Sequence, residues 1–489
     1  MHMTQLENAG SPQEKLPESL SVFIEGMQVR LGKSTDIIYR FITLGPLPAV
    51  LVFIEGLSDP QSLIQAIHED AGLFHELDEF TPVTCLELLQ ERTLTLGKVG
   101  EISNYTEVET EILAGNTILF IEGSVTALSA GTAALKQRAV EDASSQSVVR
   151  GPREGFTESL RENTALVRRR IQNPKLRIES RKLGEQTQTD VAVMYIEGNA
   201  DPVVLEELRR RLDNARLDSV LESNYIEEMI QDKRYSPFPT VYNTERPDVT
   251  ASALLEGRIA ILVEGTPFVL VVPALLVQFF QSSEDYYQRS DFASLVRLLR
   301  FFCFAIALLT PSFYIAITTF HQEMIPTTLL ISLIGQREGI PFPAFLEAFI
   351  MEITFEILRE AGIRLPKSIG QSVSIVGTLV IGQAAVDAGL VSAAMVIVVS
   401  ITAIANFALP AFNVGISVRM LRFVLMAIAA SFGLYGMIIA MIILGLHLCS
   451  LESVGVPYMT SFAPIRWQSQ RDTFIRVSRR SMKKFFGRN

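Results

Sequence analysis

Cysteine, histidine and tryptophan are scarce, and the scarcity of cysteine closes off two kinds of site. There are three cysteines, Cys85, Cys303 and Cys449, far apart in the chain, with five histidines and one tryptophan. So few, so isolated, they exclude a disulfide framework and a cysteine-rich zinc site. No Walker sequence and no GxGxxG occurs, which removes the common phosphate cradles. No nucleophile–base pair stands out. The first twenty residues, MHMTQLENAGSPQEKLPESL, have no apolar core of the signal-peptide kind, and a long apolar run appears only near residue 300. The simplest expectation is an N-terminal region that stays in the cytosol. No cofactor is expected.

What is present falls into two regimes. The 489 residues would make about three domains at ~150 residues each. They are 48% hydrophobic and still 20% charged, with a mean hydropathy of +0.29. Charge is dense up to about Arg300 and sparse from Phe301 to Cys449. The net charge of −10 argues against nucleic acid as a partner. The C-terminal tail departs from that average. From Arg466 to Asn489 it carries Arg466, Arg471, Arg476, Arg479, Arg480, Lys483, Lys484 and Arg488 against the single acid Asp472. A basic stretch after an apolar span marks a cytoplasmic side and favours anionic lipid.

An apolar run ending in Glu-Gly recurs four times: AVLVFIEG (49–56), TILFIEG (117–123), VAVMYIEG (191–198) and IAILVEG (259–265). Such runs closed by glycine read as buried strands ending in a turn. The first and third are followed by Asp-Pro, a helix start with Asp as cap and Pro in the first turn. The second and fourth are followed by another apolar run, SVTALSAG or TPFVLVVP, read as the return strand of a hairpin. Glu55 and Glu122 are 67 positions apart, as are Glu197 and Glu264. The pattern predicts two copies of one α/β unit, about 46–131 and 188–273. The four glutamates could form an acid quartet for metal or catalysis. The simpler reading makes each the last strand residue before its turn, because no histidine or cysteine stands at ligand spacing beside them.

Residues 138–187 join the units and carry Arg150, Arg153, Arg161, Arg168, Arg169 and Arg170. They read as an interface segment pairing with acids of a neighbouring domain, or alternatively as a phosphate site. SPFPTVYNTERPD (236–248) is a proline-punctuated connector. QSSEDYYQRSDFASLVRLLR (281–300) reads as an amphipathic helix approaching a membrane. Tyr286 and Tyr287 would lie at the interface, with Arg289, Arg297 and Arg300 toward the cytoplasmic leaflet.

Four spans of bilayer length follow, at 301–320, 369–388, 391–410 and 420–447. Pro311 should kink the first. Between the first two lie a short apolar piece, 324–335, and an amphipathic helix at 343–360. On that helix Glu352, Glu356 and Glu360 fall within an arc of about 80°, and Glu347 points elsewhere. In the second span Gln371, Ser374, Thr378 and Gly382 share a stripe of about the same width. Glu352, Glu356, Gln371, Ser374, Thr378 and Gly382 are the candidates for an ion pathway, since acids and small polar groups at the wall of a bundle attract cations. The alternatives are solvated acids on an interfacial helix and a close-packing seam. An even number of crossings places both ends in the cytosol.

The expected architecture is an α/β soluble N-terminal region of two similar units followed by an all-α polytopic membrane domain. In order, the segments are a tail and short helix (1–45), a first unit (46–137), a basic linker (138–187), a second unit (188–280), a juxtamembrane helix (281–300), a transmembrane domain (301–450) and a basic tail (451–489).

The segments VVRGPREGF, NTALVRRRI, YSPFPTVYNTERPD, GTPFVLVVP, EDYYQR, FHQEMIPT, REGIPFP, FEILREAGIRLP, IGQAAVDAGLV and GVPYMTSFAP carry a resemblance over about 20–465. The chain resembles the A subunits of the GerA-type nutrient germinant receptors of endospore-forming bacteria, with the stage V sporulation AF protein a paralogue of the same architecture. The resemblance implies a place in the spore inner membrane beside a transporter-like B subunit and a lipoprotein C subunit. It implies a homo-oligomer, with a pentamer as the expected count, acting as a nutrient-gated cation channel in spore germination. It does not supply pore residues. A non-conducting scaffold subunit and a secondary transporter are the alternatives, although the duplication lies in the soluble half. An enzyme is not expected.

Overall fold

The computed structural model describes residues 14–69, 81–92, 99–133, 143, 146, 148–365, 380–460, 462–463 and 472–476. The chain divides into two compact units. One comprises Met1–Gln231 and Val241–Pro273, the other Asp232–Thr240 and Ala274–Asn489.

The first unit is a duplication. Helix α1 (Leu20–Leu31) leads into β1 (Ile37–Leu44) and β2 (Leu47–Ile54). Helices α2 (Gln61–Glu69) and α3 (Pro82–Arg92), β3 (Val99–Ile102), α4 (Tyr105–Leu113), β4 (Thr117–Ile121) and β5 (Ala127–Ala130) follow. The second copy runs α5 (Leu160–Arg170), β6 (Leu176–Leu183), β7 (Thr189–Ile196), α6 (Pro202–Asn214) and α7 (Ser223–Ile230). It closes with β8 (Tyr242–Thr244), α8 (Pro247–Leu255), β9 (Ile259–Val263) and β10 (Val269–Val272). The sheets have the orders β1-β2-β4-β5-β3 and β6-β7-β9-β10-β8, with every pairing antiparallel. Register is preserved as well as order. Ala49 faces Ile121 in the first sheet, and Val191 faces Val263, both 142 positions on, in the second.

Alternation along β2 explains the layering. Val50, Val52 and Ile54 pack with residues of α1 and α4, while Ala49, Leu51 and Phe53 pack with Leu63, Cys85 and Leu89 from α2 and α3. A sheet covered on both faces has fully buried central strands, as TILFI and IAILV are. The turn glycines after the four Glu residues, Gly56, Gly123, Gly198 and Gly265, have φ of 79°, 83°, 87° and 89°, a region open to glycine but costly for other residues. The return hairpins predicted after the second and fourth runs are β4–β5 and β9–β10. Strands β1 and β6 fall in stretches read from sequence as tail and linker. Their burial is mixed, as at a sheet edge, so the alternation carries little apolar signal.

The second unit is helical: α9 (Glu284–Tyr287), α10 (Ser290–Phe320), α11 (Thr327–Arg337), α12 (Ala344–Arg364), α13 (Ala393–Phe407) and α14 (Phe412–Cys449), then a small hairpin of β11 (Glu452–Ser453) and β12 (Val456–Pro457). Helices α10 and α14 are long and apolar enough to cross a membrane. The juxtamembrane stretch is not a separate helix. After the single turn of α9 it continues into the first apolar span as α10, and Pro311 lies inside that helix. Ile315, Ala316, Ala344, Ala348, Met395, Val399, Met426 and Ala429 form the core of this unit.

Helix α14 is two arms rather than one rod. Drawn straight, Ser417 and His447 would be about 45 Å apart at 1.5 Å per residue. Yet Ser417 Oγ donates to the carbonyl of Pro237, and the neighbouring Ser236 Oγ lies 3.0 Å from His447 Nε2. The chain reverses at Gly433, with φ 60° and ψ −147°. Past the reversal, a Cβ placed on Gly436 would come within 2.9 Å of Ile428 Cγ2, eight residues back. The stretch 420–447, read from sequence as one crossing, is therefore a helical hairpin with arms 412–432 and 434–449. Apolar residues predominate on both sides of Gly433, so hydropathy carries no mark of the turn.

Candidate functional site

Of the four carboxylates of α12, Glu347 and Glu352 are buried, Glu356 is half-buried and Glu360 is exposed. Glu352 is 1% exposed and pairs with Arg422 at 2.5 Å; one turn on, Glu356 pairs with Arg419 at 2.5 Å. Glutamates four apart on α12 thus meet arginines three apart on the first arm of α14, because residues at those spacings share a helix face. Glu360 pairs within its own helix with Arg364, at the surface. Glu347 is fully buried. It accepts from the backbone amide and hydroxyl of Ser392, both at 3.0 Å, and lies 3.2 Å from Arg337.

Glu347, Glu352 and Glu356 each have an arginine partner, but hydrogen bonding in this layer is incomplete. Among the described residues Glu352 Oε1, Arg422 Nε and Asn406 Oδ1 are buried without a partner. Arg359 holds its guanidinium 5.7 Å from the ring of Phe407 and 5.5 Å from that of Phe412. The arrangement is a polar seam between α12, α13 and α14. It can fasten the three helices.

Of the remaining candidates, Gln371, Ser374 and Thr378 lie outside the described residues. Gly382 is buried, and a Cβ there would sit 3.5 Å from Val396 Cγ1 on α13. The arginine partners of the acids were missed at the sequence level. Their signal was the matched spacing of Arg419 and Arg422 at the start of the last apolar span.

A second cluster sits where α9 meets α10. Asp285 accepts from Arg297 Nε at 2.9 Å and Arg300 Nη1 at 2.8 Å, so these arginines are buried rather than turned to a lipid surface. Asp472, in the basic tail, accepts from Arg297 at 2.9 Å and from Tyr286 Oη at 2.6 Å. Burial, then the nearby Asp472 charge, pushes the Tyr286 hydroxyl well above its ordinary pKa. Arg476 bonds the carbonyls of Gln288 and Tyr286 and is buried as well.

The four strand-end glutamates are structural in two related ways. Glu122 accepts the amide of Leu20 at 2.6 Å and Glu264 that of Leu160 at 2.7 Å, so each caps the helix that opens its own repeat. Glu55 pairs with Arg161 and Glu197 with Arg177. Arginines of the basic stretch meet acids: Arg168 reaches Asp36, and Arg169 and Arg170 both reach Glu154. No group of three or more metal-ligating side chains occurs among the described residues.

The family model described as Bacillus/Clostridium GerA spore germination protein matches residues 25–485. The chain belongs to the GerA spore germination family. It is 48% identical to spore germination protein KA of Bacillus subtilis (strain 168), over 94% of this chain and 84% of that protein. It is 46% identical to the membrane protein YfkQ of the same organism, over 94% and 88%, and 39% identical to GerLA of Bacillus cereus, over 96% and 95%. The N-terminal domain of the A subunit of the Bacillus megaterium spore germinant receptor GerK3 is 38% identical, with a TM-score of 0.44, over 55% of this chain and 99% of that structure. Two apolar helices and a relative named as a membrane protein fit a membrane location.

Proposed function

We propose that the chain is the A subunit of a nutrient germinant receptor, that several copies assemble in the spore inner membrane, and that the assembly conducts cations when nutrient is sensed. The observation that carries this reading is a GerA match over nearly the whole chain, on a molecule whose apolar helical unit encloses a polar seam. A single copy with so few polar groups makes a poor conduit, so the reading requires oligomerisation, with five copies as the expected count. The partners are a transporter-like B subunit and a lipoprotein C subunit. The duplicated region and the tail lie on the cytosolic side, and anionic lipid meets the exposed part of the tail. The activity is not enzymatic. The stripe of Gln371, Ser374, Thr378 and Gly382 lines the path, and Glu352 and Glu356 stand beside it held by Arg422 and Arg419.

The test is cation flux through membranes containing the receptor, with Gln371, Ser374 and Thr378 each changed to leucine and assembly followed by crosslinking. Altered flux with intact assembly supports the reading. Intact assembly with no flux, even with partner subunits and nutrient present, leaves a scaffold subunit instead.

A further inference from the structure

One stretch of the second repeat belongs to the helical unit. Residues 232–240 leave that repeat after α7 and return to it as β8, yet they group with the helical unit. Asp232 Oδ2 accepts the amide of Val454 at 2.8 Å, and Lys233 Nζ donates to Ser450 Oγ at 2.8 Å. Ser236 bonds His447, the carbonyl of Pro237 accepts from Ser417, and that of Thr240 accepts from Ser453. The same Ser453 Oγ accepts the amide of Ala274 at 2.8 Å. One hydroxyl thus links Thr240 to Ala274, the residues that flank 241–273 in the sequence.

Two further features make the segment suited to transmit displacement. Its centre, Ser236-Pro237-Phe238-Pro239, is stiffened by two prolines with fixed φ, and Phe238 is 3% exposed. Its bonds at Ser417 and His447 fall on opposite arms of the α14 hairpin. A shift of this short rod acts on both arms together, close to their open ends and remote from the reversal at Gly433.

We propose that residues 232–240 are the coupling segment through which the second repeat sets the position of the α14 hairpin, with Ser417 and His447 as its positioning residues. The role in gating rests on the channel-subunit reading above; the mechanical coupling does not. Loosening the second repeat loosens both arms, and the path runs through the proline rod.

Hydrogen exchange on the full-length chain, purified in detergent, tests this without nutrient or conduction. Leu254→Ala opens a hole in the second repeat's core, where Leu254 is fully buried. Exchange of peptides around Ser417 and His447 should then rise by about fivefold or more. Adding Pro237→Gly and Pro239→Gly, which keep the bonded carbonyl but soften the rod, should cancel that rise. His447→Leu should cancel it on the second arm, and His447→Gln, still able to bond Ser236, should restore it. Unchanged exchange in both arms of Leu254→Ala, or a rise that survives softening of the rod, overturns the coupling. Failure of the flux test with these exchange results intact would refute the channel reading alone.

Discussion

Arg168 grips Asp36 through two hydrogen bonds, Nε to Oδ2 at 2.8 Å and Nη2 to Oδ1 at 3.1 Å, with both residues buried. Asp36 stands just before β1 and Arg168 lies in α5, so the pair ties the two repeats together. Ser34 Oγ donates to the same carboxylate at 2.6 Å and accepts from the guanidinium at 3.0 Å. Removing one partner strands a buried charge. Arg168→Ala should cost about 3–5 kcal/mol. The apolar double replacement Arg168→Met with Asp36→Leu should cost much less. Thermal unfolding of the detergent-solubilised chain measures both, and equal losses in the two variants would show that packing rather than charge holds the joint.

Glu227 predicts a pH dependence. It is 5% exposed on α7, and its carboxylate receives the side-chain amide of Gln231 at 3.4 Å. Burial, then the neighbouring charges of Glu222 and Glu228, push its pKa from 4.5 to about 7. The folded chain therefore holds this proton more tightly than the unfolded chain. Between those two values the native state binds more protons, so stability falls as pH rises and levels off above the upper one. The loss is roughly 3 kcal/mol. Glu227→Gln should flatten the profile and raise the unfolding temperature at pH 7.5 but not at pH 4. A variant that tracks wild type at both would show that Glu227 is ionised throughout.

How much of this was legible depends on how far apart the decisive residues are. The Glu-Gly strand ends, the Asp201 cap that accepts from Val203 and the return hairpins all lie within a few positions of one another. Local pattern therefore disclosed them, and the duplication with them. The caps made by Glu122 and Glu264 span more than 100 positions and left no local trace. The pairs of Glu352 with Arg422 and Glu356 with Arg419 span 70 and 63, so the acids could be placed on one face without revealing what they faced. The membership of 232–240 in the helical unit was hidden likewise, because a proline-rich connector looks the same wherever it packs.

The reversal at Gly433 makes a topological prediction. Its φ and ψ are those of glycine alone, and a Cβ would stand 2.8 Å from His321 Cε1 and 3.1 Å from Phe320 Cβ. In a bilayer, residues near the two open ends of the hairpin must therefore emerge on one side. Cys449 is exposed, and Asn413→Cys supplies a thiol at the other end. A membrane-impermeant thiol reagent should label both from the same face. Labelling from opposite faces would mean a single straight crossing. Gly433→Val should reduce the amount of assembled protein several-fold, through backbone strain and the clash with α10.

The pairing of Glu352 with Arg422 separates fastening from conduction. Both side chains are at most 2% exposed, and each keeps one polar atom without a partner among the described residues. If the pair only fastens α12 to α14, Arg422→Met alone should destabilise the protein by about 3–5 kcal/mol, and Glu352→Met with Arg422→Met should recover most of that, with cation flux unchanged. If Glu352 also touches the moving ion, the double variant should assemble as well as wild type but pass cations at a different rate. Glu352→Gln adds the decisive contrast, since it keeps the shape and an acceptor oxygen while removing the charge. Unchanged flux in Glu352→Gln, together with recovered assembly in the double variant, assigns the charge to fastening alone. Reduced flux in both assembled variants places the carboxylate on the ion path, with Arg422 keeping it from binding cations too tightly to release them.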